Sequence, residues 1–459
     1  MHLGAENSIL TNLDGDSVET DTSKASNSMI KMVECLKDVI SNNKGIKKPT
    51  LVLNGDIIEL ALTTTNNAAM AFQRFIELVM PDKGDRLFDN EIFFMAGNHD
   101  HNLWERSRVH HYDHYISSLE TSDFIEDEWH CTNLFEPEQI PVSILNTLLH
   151  RYPHLQDVKV VASYPAHALL SEDKQKCVVI SHGHYVESMY SLMTSLRAKI
   201  FPDREKPKSF EELESENFGW VDFFWSTLGR SGSVGKDINL IYDKLQDPEQ
   251  VKILIGNIAE SFSEHAKTKV GKWVEKNMLQ ELLTLTLGKL ASNERNEPDV
   301  ELTPDATNGL KVFLEQYILN HLKKELDGFV PPNMTFIFGH THKPFHRLVE
   351  YEGYPNPVKV YNSGGWVVDT MKQQPLHGAS IVLVDEHLDV ISLQMYKEGK
   401  SQVTLEEVKG TNQKNCDFYQ RINQSIDMQN EPWTGFANEA QKDVELRYRN
   451  LSRIASSGN

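Results

Sequence analysis

Four short apolar runs, each followed at once by a polar cluster, constrain the fold of this chain more than any other feature. Strands buried on both faces of a parallel sheet have continuous apolar sequences. Each run is followed by Asp, Asn or His, in segments 51–56, 92–100, 178–184 and 336–342. Because open α/β sheets bind ligands beyond the carboxyl ends of their strands, we expect the four clusters to meet in one site.

Helical patterns separate the strands. Apolar residues recur at helical spacing over 29–40, with Gly45 as a stop, and again over 70–79 before Pro81. Alternating strands and helices predict an α/β layered core. Residues 358–361 predict another strand, and the runs 379–384 and 390–395 predict a hairpin.

The middle of the chain interrupts this alternation. Leucines and other apolar residues step by four over 274–287 and 310–326, which predicts amphipathic helices, and Gly328 ends the second. We therefore predict a core in two parts with a helical insertion between them and a tail behind it. The predicted segments are core 1–186, insertion 187–330, core 331–400 and tail 401–459. The tail is expected to contain one helix, with Trp433 and Phe436 as anchors.

Composition excludes several classes of protein. The 459 residues carry a formal net charge of −20, which disfavours a general nucleic-acid binder. The four cysteines lie far apart without metal-binding spacing, so we expect a reducing compartment and a cytoplasmic protein. No apolar run reaches the length of about 18 residues that crosses a bilayer.

The polar clusters have the chemistry of a metal site. Asp, Asn and His side chains can hold two divalent ions when one carboxylate bridges them, an arrangement suited to phosphoryl transfer. Such ligands suit manganese, our first expectation, and also iron, zinc, cobalt or nickel. His184 competes with His182 for the ligand role in its cluster.

The order of the clusters resembles the calcineurin-like metallophosphoesterase family, whose motifs run DxH, GD, GNH(D/E), H and GHxH. The matching residues are Gly55-Asp56, Gly97-Asn98-His99-Asp100, His182 and Gly339-His340-Thr341-His342. The chain opens Met1-His2-Leu3-Gly4, which is similar to the end of the first motif without its Asp. We expect the Asp of the first motif to lie upstream of Met1. The alternative is that this protein has lost one metal ligand.

The resemblance covers residues 1–184 and 333–396 and implies a four-layer αββα sandwich carrying the helical insertion. It implies one ion held by His2, Asp56 and His342. It implies a second ion held by the remaining ligands, which are Asn98, His182, His340 and the bridging Asp56. A hydroxide bridging the metals would attack a phosphodiester or phosphomonoester in line, while His99 assists the leaving group and Asp100 orients His99.

Two other functions stay open. The insertion lies where the similar UDP-diacylglucosamine pyrophosphohydrolases carry a lid. A lipid-linked or nucleotide pyrophosphate therefore stays open as the substrate, and the insertion could also contact lipid at a membrane surface. Those enzymes usually have Arg where this chain has His99.

A non-catalytic calcineurin-like scaffold is the alternative from another class. The aromatic residues Trp220, Phe223, Phe224 and Trp225 either pack the insertion onto the core or form the apolar face of a lid. The oligomeric state is left open.

Overall fold

The computed structural model describes residues 1–457 except 16, 18, 44–46, 228–296, 298, 371–372, 401 and 411–412. The described part is a mixed α/β protein with ten α-helices and twelve strands in three sheets. The predicted helix over 274–287 and the Gly45 stop lie outside the described residues.

The first sheet contains two of the predicted strands. Its strands are β1 (Leu51–Asn54), β2 (Glu91–Met95), β3 (Ile140–Pro141) and β4 (Lys159–Ala162), in the spatial order β1-β2-β4-β3. β1, β2 and β4 are parallel, and β3 pairs antiparallel to β4 at one edge. The loops that follow β1 and β2 therefore leave the same edge of the sheet.

Four helices accompany this sheet. They are α1 (Asn27–Asn42), α2 (Thr65–Val79), α3 (His101–Ser118) and α4 (Ser143–Leu149). Ser26 caps α1 by accepting a hydrogen bond of 3.1 Å from the backbone N–H of Met29. The periodic apolar residues predicted α1 and α2 within a few residues, and both helices bury most of those residues against the core, with Met70 of α2 exposed.

The second sheet contains the other two cluster-bearing strands. In chain order its strands are β5 (Ala166–Leu170), β6 (Lys176–Ser181), β7 (Asn333–Phe338), β8 (Phe345–Val349) and β9 (Val358–Asn362). The spatial order is β5-β6-β7-β9-β8, with β6, β7 and β9 parallel and both edge strands antiparallel. In the sequence the whole insertion comes between β6 and β7, although these two strands are direct neighbours in the sheet.

The described insertion is helical. Its elements are α5 (Leu192–Ile200), α6 (Phe210–Val221) with a π-helical extension (Asp222–Thr227), α7 (Pro304–Val312), a π-helical segment (Phe313–Ile318) and α8 (Leu319–Glu325). Gly328 follows α8 with a φ of 86°, the left-handed conformation that commonly ends a helix. The leucine pattern over 310–326 thus predicted this helical run and its end.

The third sheet and the tail complete the chain. β10 (Gly378–Val384) and β11 (Val390–Lys397) form the predicted hairpin, and β12 (Thr404–Glu406) pairs with β11. The tail contains two helices, α9 (Asp417–Ser425) and α10 (Trp433–Ser457), where we expected one. Trp433 and Phe436 are buried in the same core cluster as α1, which explains why the tail is ordered against the first sheet.

Buried residues of the two larger sheets form a shared cluster. It includes Met95 of β2, Ile180 of β6, Ile337 of β7 and Tyr361 of β9. A second cluster joins the other face of the second sheet to the insertion, and the largest joins the first sheet to α1, α2 and the tail. No helix within the described residues is long and apolar enough to span a membrane.

Candidate metal centre

The four polar clusters meet at the carboxyl ends of β1, β2, β6 and β7. The short segment at His2 joins them, because Leu3 forms a parallel bridge with Ile58 and the backbone N–H of His2 donates to the carbonyl of Asp56 at 2.7 Å. All eight side chains proposed from the sequence are buried in the same region. They are His2, Asp56, Asn98, His99, Asp100, His182, His340 and His342.

The backbone is strained at this site. Seven described residues other than glycine have positive φ, and four of them are His2, Asp56, His340 and His342. Their φ values are 52°, 49°, 68° and 59°, in the left-handed region that costs a side-chain-bearing residue about 1 kcal/mol or more. Such strain persists where the surrounding structure imposes it, and it concentrates at functional sites.

Two glycines permit the close approach of the loops. A Cβ on Gly97 would lie 2.2 Å from Oδ1 of Asp56, and a Cβ on Gly55 would lie 2.2 Å from Nδ1 of His182. Gly55 also has a φ of 74°, which glycine adopts without steric cost. The glycines of the GD and GNH motifs are therefore needed for space around Asp56 and His182.

The first group of potential ligands comprises His2, Asp56 and His342. Nε2 of His2 lies 3.2 Å from Nε2 of His342 and 3.6 Å from Oδ2 of Asp56. Ligand atoms about 2.1 Å from one tetrahedral ion are about 3.4 Å apart, so these separations have the size expected around a metal.

The second group comprises Asp56, His182 and His340, with Asn98 beside them. Nε2 of His182 lies 3.3 Å from Oδ2 of Asp56, 3.3 Å from Nδ1 of His340 and 3.2 Å from Oδ1 of Asn98. Asp56 belongs to both of these groups, and His2 also belongs to a third group with Glu59 and His99.

Hydrogen bonds on the outer side of each ring determine which nitrogen faces inward. Nδ1 of His2 bonds to Glu59 at 2.8 Å, Nδ1 of His342 bonds to Asp369, and Nε2 of His340 lies 2.8 Å from Glu187. In His2 and His342 the outer nitrogen carries the hydrogen, because its hydrogen-bond partner is an acceptor. The carboxylate of Glu187, 2.8 Å from Nε2 of His340, favours the same tautomer there through its charge.

His182 follows the same rule. Its Nδ1 lies 3.2 Å from the carbonyl oxygen of Asn54, which can only accept. In these tautomers the inner nitrogens of all four histidines bear lone pairs. Lone pairs that face each other at 3.2–3.3 Å repel, so the facing nitrogens need either a metal cation or a shared proton between them. The residues present could therefore hold a metal ion.

The electrostatics agree with this fit. Burial favours a raised pKa for Asp56, but the surrounding His182, His99 and His2 outweigh it and hold that pKa well below its usual range. Burial lowers the pKa of His2 to about 3, which keeps its ring neutral at pH 7. An ionised carboxylate and neutral imidazoles are the protonation states that bind metal.

Glu59 holds the histidine that we expected to assist the leaving group. Its Oε1 lies 2.9 Å from Nδ1 of His99, while its Oε2 bonds to His2. Burial works to raise the pKa of Glu59, but His99 and His2 lower it to about 2. One ionised carboxylate thus positions both a potential ligand and the candidate catalytic histidine.

Asp100 has a different position from the one we expected. Its Oδ1 accepts from the backbone N–H of Gly97 at 2.7 Å, and its Oδ2 accepts from that of Ile57 at 2.7 Å. Asp100 precedes the first residue of α3, so its side chain turns back onto the loop that contains Asp56. The carboxylate that orients His99 is therefore Glu59, and Asp100 joins the two loops.

Three acidic residues of the site were not identified from the sequence. Glu59 could have been found, since it lies three residues after Asp56 in the same loop. Glu187 is at the start of the insertion and Asp369 is far along the chain, and neither has a local signal. His182 belongs to the second group of potential ligands, and His184 belongs to neither of the two groups.

A scan against models of known protein families gave no match to this chain. A search of curated proteins also returned no significant match. The geometry of the site and the order of its motifs are the features that indicate a function.

Proposed function

We propose that this protein is a two-metal phosphoesterase of the calcineurin-like type. The observation that carries the proposal is the convergence of four imidazole lone pairs, in two groups, on the shared carboxylate of Asp56. Two groups with one common carboxylate are an arrangement that could hold two ions close together, as two-metal phosphoryl hydrolysis uses them. The order of the motifs along the chain supports the same conclusion.

The packing supports an αββα sandwich as the framework. The two larger sheets share a buried cluster that includes Met95 and Ile337. Helices α1 and α2 pack with the first sheet and helices α7 and α8 with the second. In such a sandwich the strand ends that carry the motifs of each sheet lie side by side at one edge.

The residues divide the chemistry between them. When bound, two divalent ions would activate water and neutralise the charge that develops on the phosphoryl group. His99 donates the proton of Nε2 to the leaving oxygen in its doubly protonated form, in which Nδ1–H stays bonded to the Glu59 carboxylate. Asn98, beside His182, contributes a neutral oxygen to the second group. Both ligand groups depend on the ionised carboxylate of Asp56.

The retained site disfavours the alternative of a non-catalytic scaffold. A protein that served only as a binding module would have no use for strained ligand conformations at His2, Asp56, His340 and His342. It would also have no use for a buried carboxylate such as Glu59 behind a non-ligand histidine.

The test is hydrolysis of bis-(p-nitrophenyl) phosphate and p-nitrophenyl phosphate by the metal-free protein, with and without added Mn²⁺. We expect turnover that depends on the metal, and the ratio of the two rates separates a diesterase from a monoesterase. The same assay with Fe²⁺, Zn²⁺, Co²⁺ and Ni²⁺ ranks the metals. Binding of Mn²⁺ without turnover of either ester would favour the scaffold or a pyrophosphate substrate.

A further inference from the structure

Two exposed histidines face each other on the surface of α3, away from the candidate metal centre. His110 and His114 are at positions i and i+4, which lie on the same face of a helix. Their Nε2 atoms are 3.2 Å apart, and their ring centroids are 4.6 Å apart. The helix begins at His101, directly after Asp100, and rises about 1.5 Å per residue, so His110 lies about 14 Å further along it. The two histidines therefore form a group of their own.

The separation of the two nitrogens has the size that one shared metal ion requires. Ligand atoms about 2.1 Å from an ion are about 3 Å apart when their bonds to it are at right angles, and about 3.4 Å apart when the ion is tetrahedral. The observed 3.2 Å lies between these values. Without an ion, one Nε2 donates its hydrogen to the other. With an ion, both rings carry their hydrogen on Nδ1 and direct the lone pair of Nε2 at the metal.

Contacts on another side of α3 hold the part of the helix that presents the pair. The rings of His111, Tyr112 and Tyr115 pack against Trp129, with centroids 5.6, 5.6 and 5.7 Å away. The hydroxyl of Tyr112 also donates to the carbonyl of Glu126 at 2.5 Å. Because these contacts fix the helix, an ion has to order only the two imidazole side chains. Once one ring has bound the ion, binding of the second ring is intramolecular.

The charge around the pair favours a cation. The contacts of Trp129 and Glu126 hold the segment 119–129 beside α3, and this segment has five acidic residues and neither Lys nor Arg. Arg106 and Arg108 of α3 oppose part of this field, and Arg108 is already paired with Glu105 and with a carboxylate of the segment. Acidic surroundings raise the local concentration of positive ions.

We propose that His110 and His114 form a surface site for a divalent transition-metal ion, separate from the candidate metal centre. Imidazole nitrogen suits the later ions of the first transition series, so the pair should select Ni²⁺, Cu²⁺ or Zn²⁺ over Mn²⁺. Two protein ligands leave the remaining coordination positions of the ion to water or to an external ligand. The site does not depend on the proposed phosphoesterase function.

Immobilised Ni²⁺ tests this site without interference from the buried centre. Protein without an affinity tag is passed over a nitrilotriacetate surface loaded with Ni²⁺, and its affinity is measured by surface plasmon resonance. The exposed pair can reach a surface-bound ion, whereas the four histidines of the two ligand groups are at most 8% exposed. We expect the wild type to bind. His110→Ala and His114→Ala should each lose at least about tenfold in affinity, because a single ring binds without chelation.

Other histidines on the surface provide the matched controls. His111 is next to the pair on α3 but packs against Trp129, and His387 is an exposed histidine between β10 and β11. His111→Ala and His387→Ala should both keep the affinity of the wild type for immobilised Ni²⁺. An equal loss in either control would overturn the inference, because it would show that binding does not depend on the pair.

A double variant tests whether the spacing of the two rings matters. Arg106→His combined with His114→Ala creates a pair at i and i+4 one turn earlier, with His110 as its second member. This variant should recover the affinity that His114→Ala loses. The inference is wrong if the double variant does not recover, or if the wild type binds Ni²⁺ no more tightly than His114→Ala does.

Discussion

The backbone N–H of His99 donates a hydrogen bond of 2.8 Å to Oδ1 of Asp56. Oδ2 of the same carboxylate faces His2 and His182, at 3.6 and 3.3 Å. Asp56 therefore uses one oxygen to hold the loop of the candidate catalytic histidine and the other to face both ligand groups. Substitutions at Asp56 and at His99 should consequently have different effects on metal binding.

Asp56→Asn should abolish both metal binding and turnover. The amide cannot supply the negative charge that both ligand groups share, and its N–H₂ would face imidazole lone pairs or ions. We expect less than one metal per chain by inductively coupled plasma mass spectrometry and a loss of activity of at least about 10³-fold. Asp157→Asn, at an exposed ion pair with Arg86, is the control and should bind metal normally. Full metal content in Asp56→Asn would contradict the assignment of the shared carboxylate.

His99→Ala should slow turnover while the metals stay bound. His99 is placed to transfer a proton to the leaving oxygen, a role that contributes about 10²–10⁴-fold. The loss should be larger for an alkyl ester than for a nitrophenyl ester, because a good leaving group needs little protonation. Metal content and rates on both esters provide the measurement. Release of the metals by His99→Ala would show that His99 is a ligand.

Glu59→Gln should impair both metal binding and catalysis. Glu59 bonds to His2 and to His99, and loss of such an outer partner typically costs about 10–100-fold in metal affinity or activity. Titration with Mn²⁺ and kcat at saturating metal separate the two effects. Glu77→Gln is the matched control, since Glu77 accepts from Tyr152 on a distant surface. An unchanged kcat at saturating Mn²⁺ would show that Glu59 supports metal binding through His2 and does not affect catalysis through His99.

Trp220→Ala should reduce stability without changing the choice of substrate. Trp220 packs against the core cluster of the insertion, and its Nε1 donates to the carbonyl of Met189 at 3.0 Å. We expect a loss of about 2–3 kcal/mol in the free energy of unfolding, below the full cost of a completely buried Trp. Phe223→Ala, at a side chain 62% exposed, should have little effect. A changed ester ratio with unchanged stability would instead support a lid that contacts substrate.

Glu398 should make stability depend on pH. Burial raises its pKa to about 7 from the ordinary 4.5, against the opposing hydrogen bonds from Tyr448 and the backbone of Gln374. The folded state therefore binds a proton over a range of pH in which the unfolded state has released it. The resulting stabilisation is complete below the unfolded pKa and is lost as the pH rises through about 7.

Glu398→Gln should remove this dependence, because the amide does not titrate. Denaturant unfolding of the wild type and the variant at about pH 5 and about pH 8 provides the measurement, since other carboxylates contribute equally to both proteins. The variant should lose less stability than the wild type between the two conditions. Parallel losses would contradict the raised pKa of Glu398.

Periodicity predicted the elements whose burial is regular. The predicted strands correspond to β1, β2, β6 and β7, which are continuous apolar runs because both faces are covered. β8 was missed because it is an edge strand with an exposed Leu348, so its sequence has no continuous apolar run. The second tail helix was missed for a related reason, since its order depends on contacts of Trp433 and Phe436 with a distant core.

The sequence identified the residues of the candidate site and their order along the chain. Parallel neighbours bring their strand ends together, so the clusters after β1 and β2, and those after β6 and β7, could be expected to meet in pairs. The packing of the two sheets against each other then brings the two pairs together. The acidic partners behind the histidines depend on the folded chain. Asp369 bonds to His342 and Glu187 approaches His340 at 2.8 Å from segments that no local pattern links to the motifs, whereas Glu59 lies close enough to Asp56 in sequence to have been found. The direction of each imidazole lone pair, on which the metal chemistry depends, is a property of the folded chain alone.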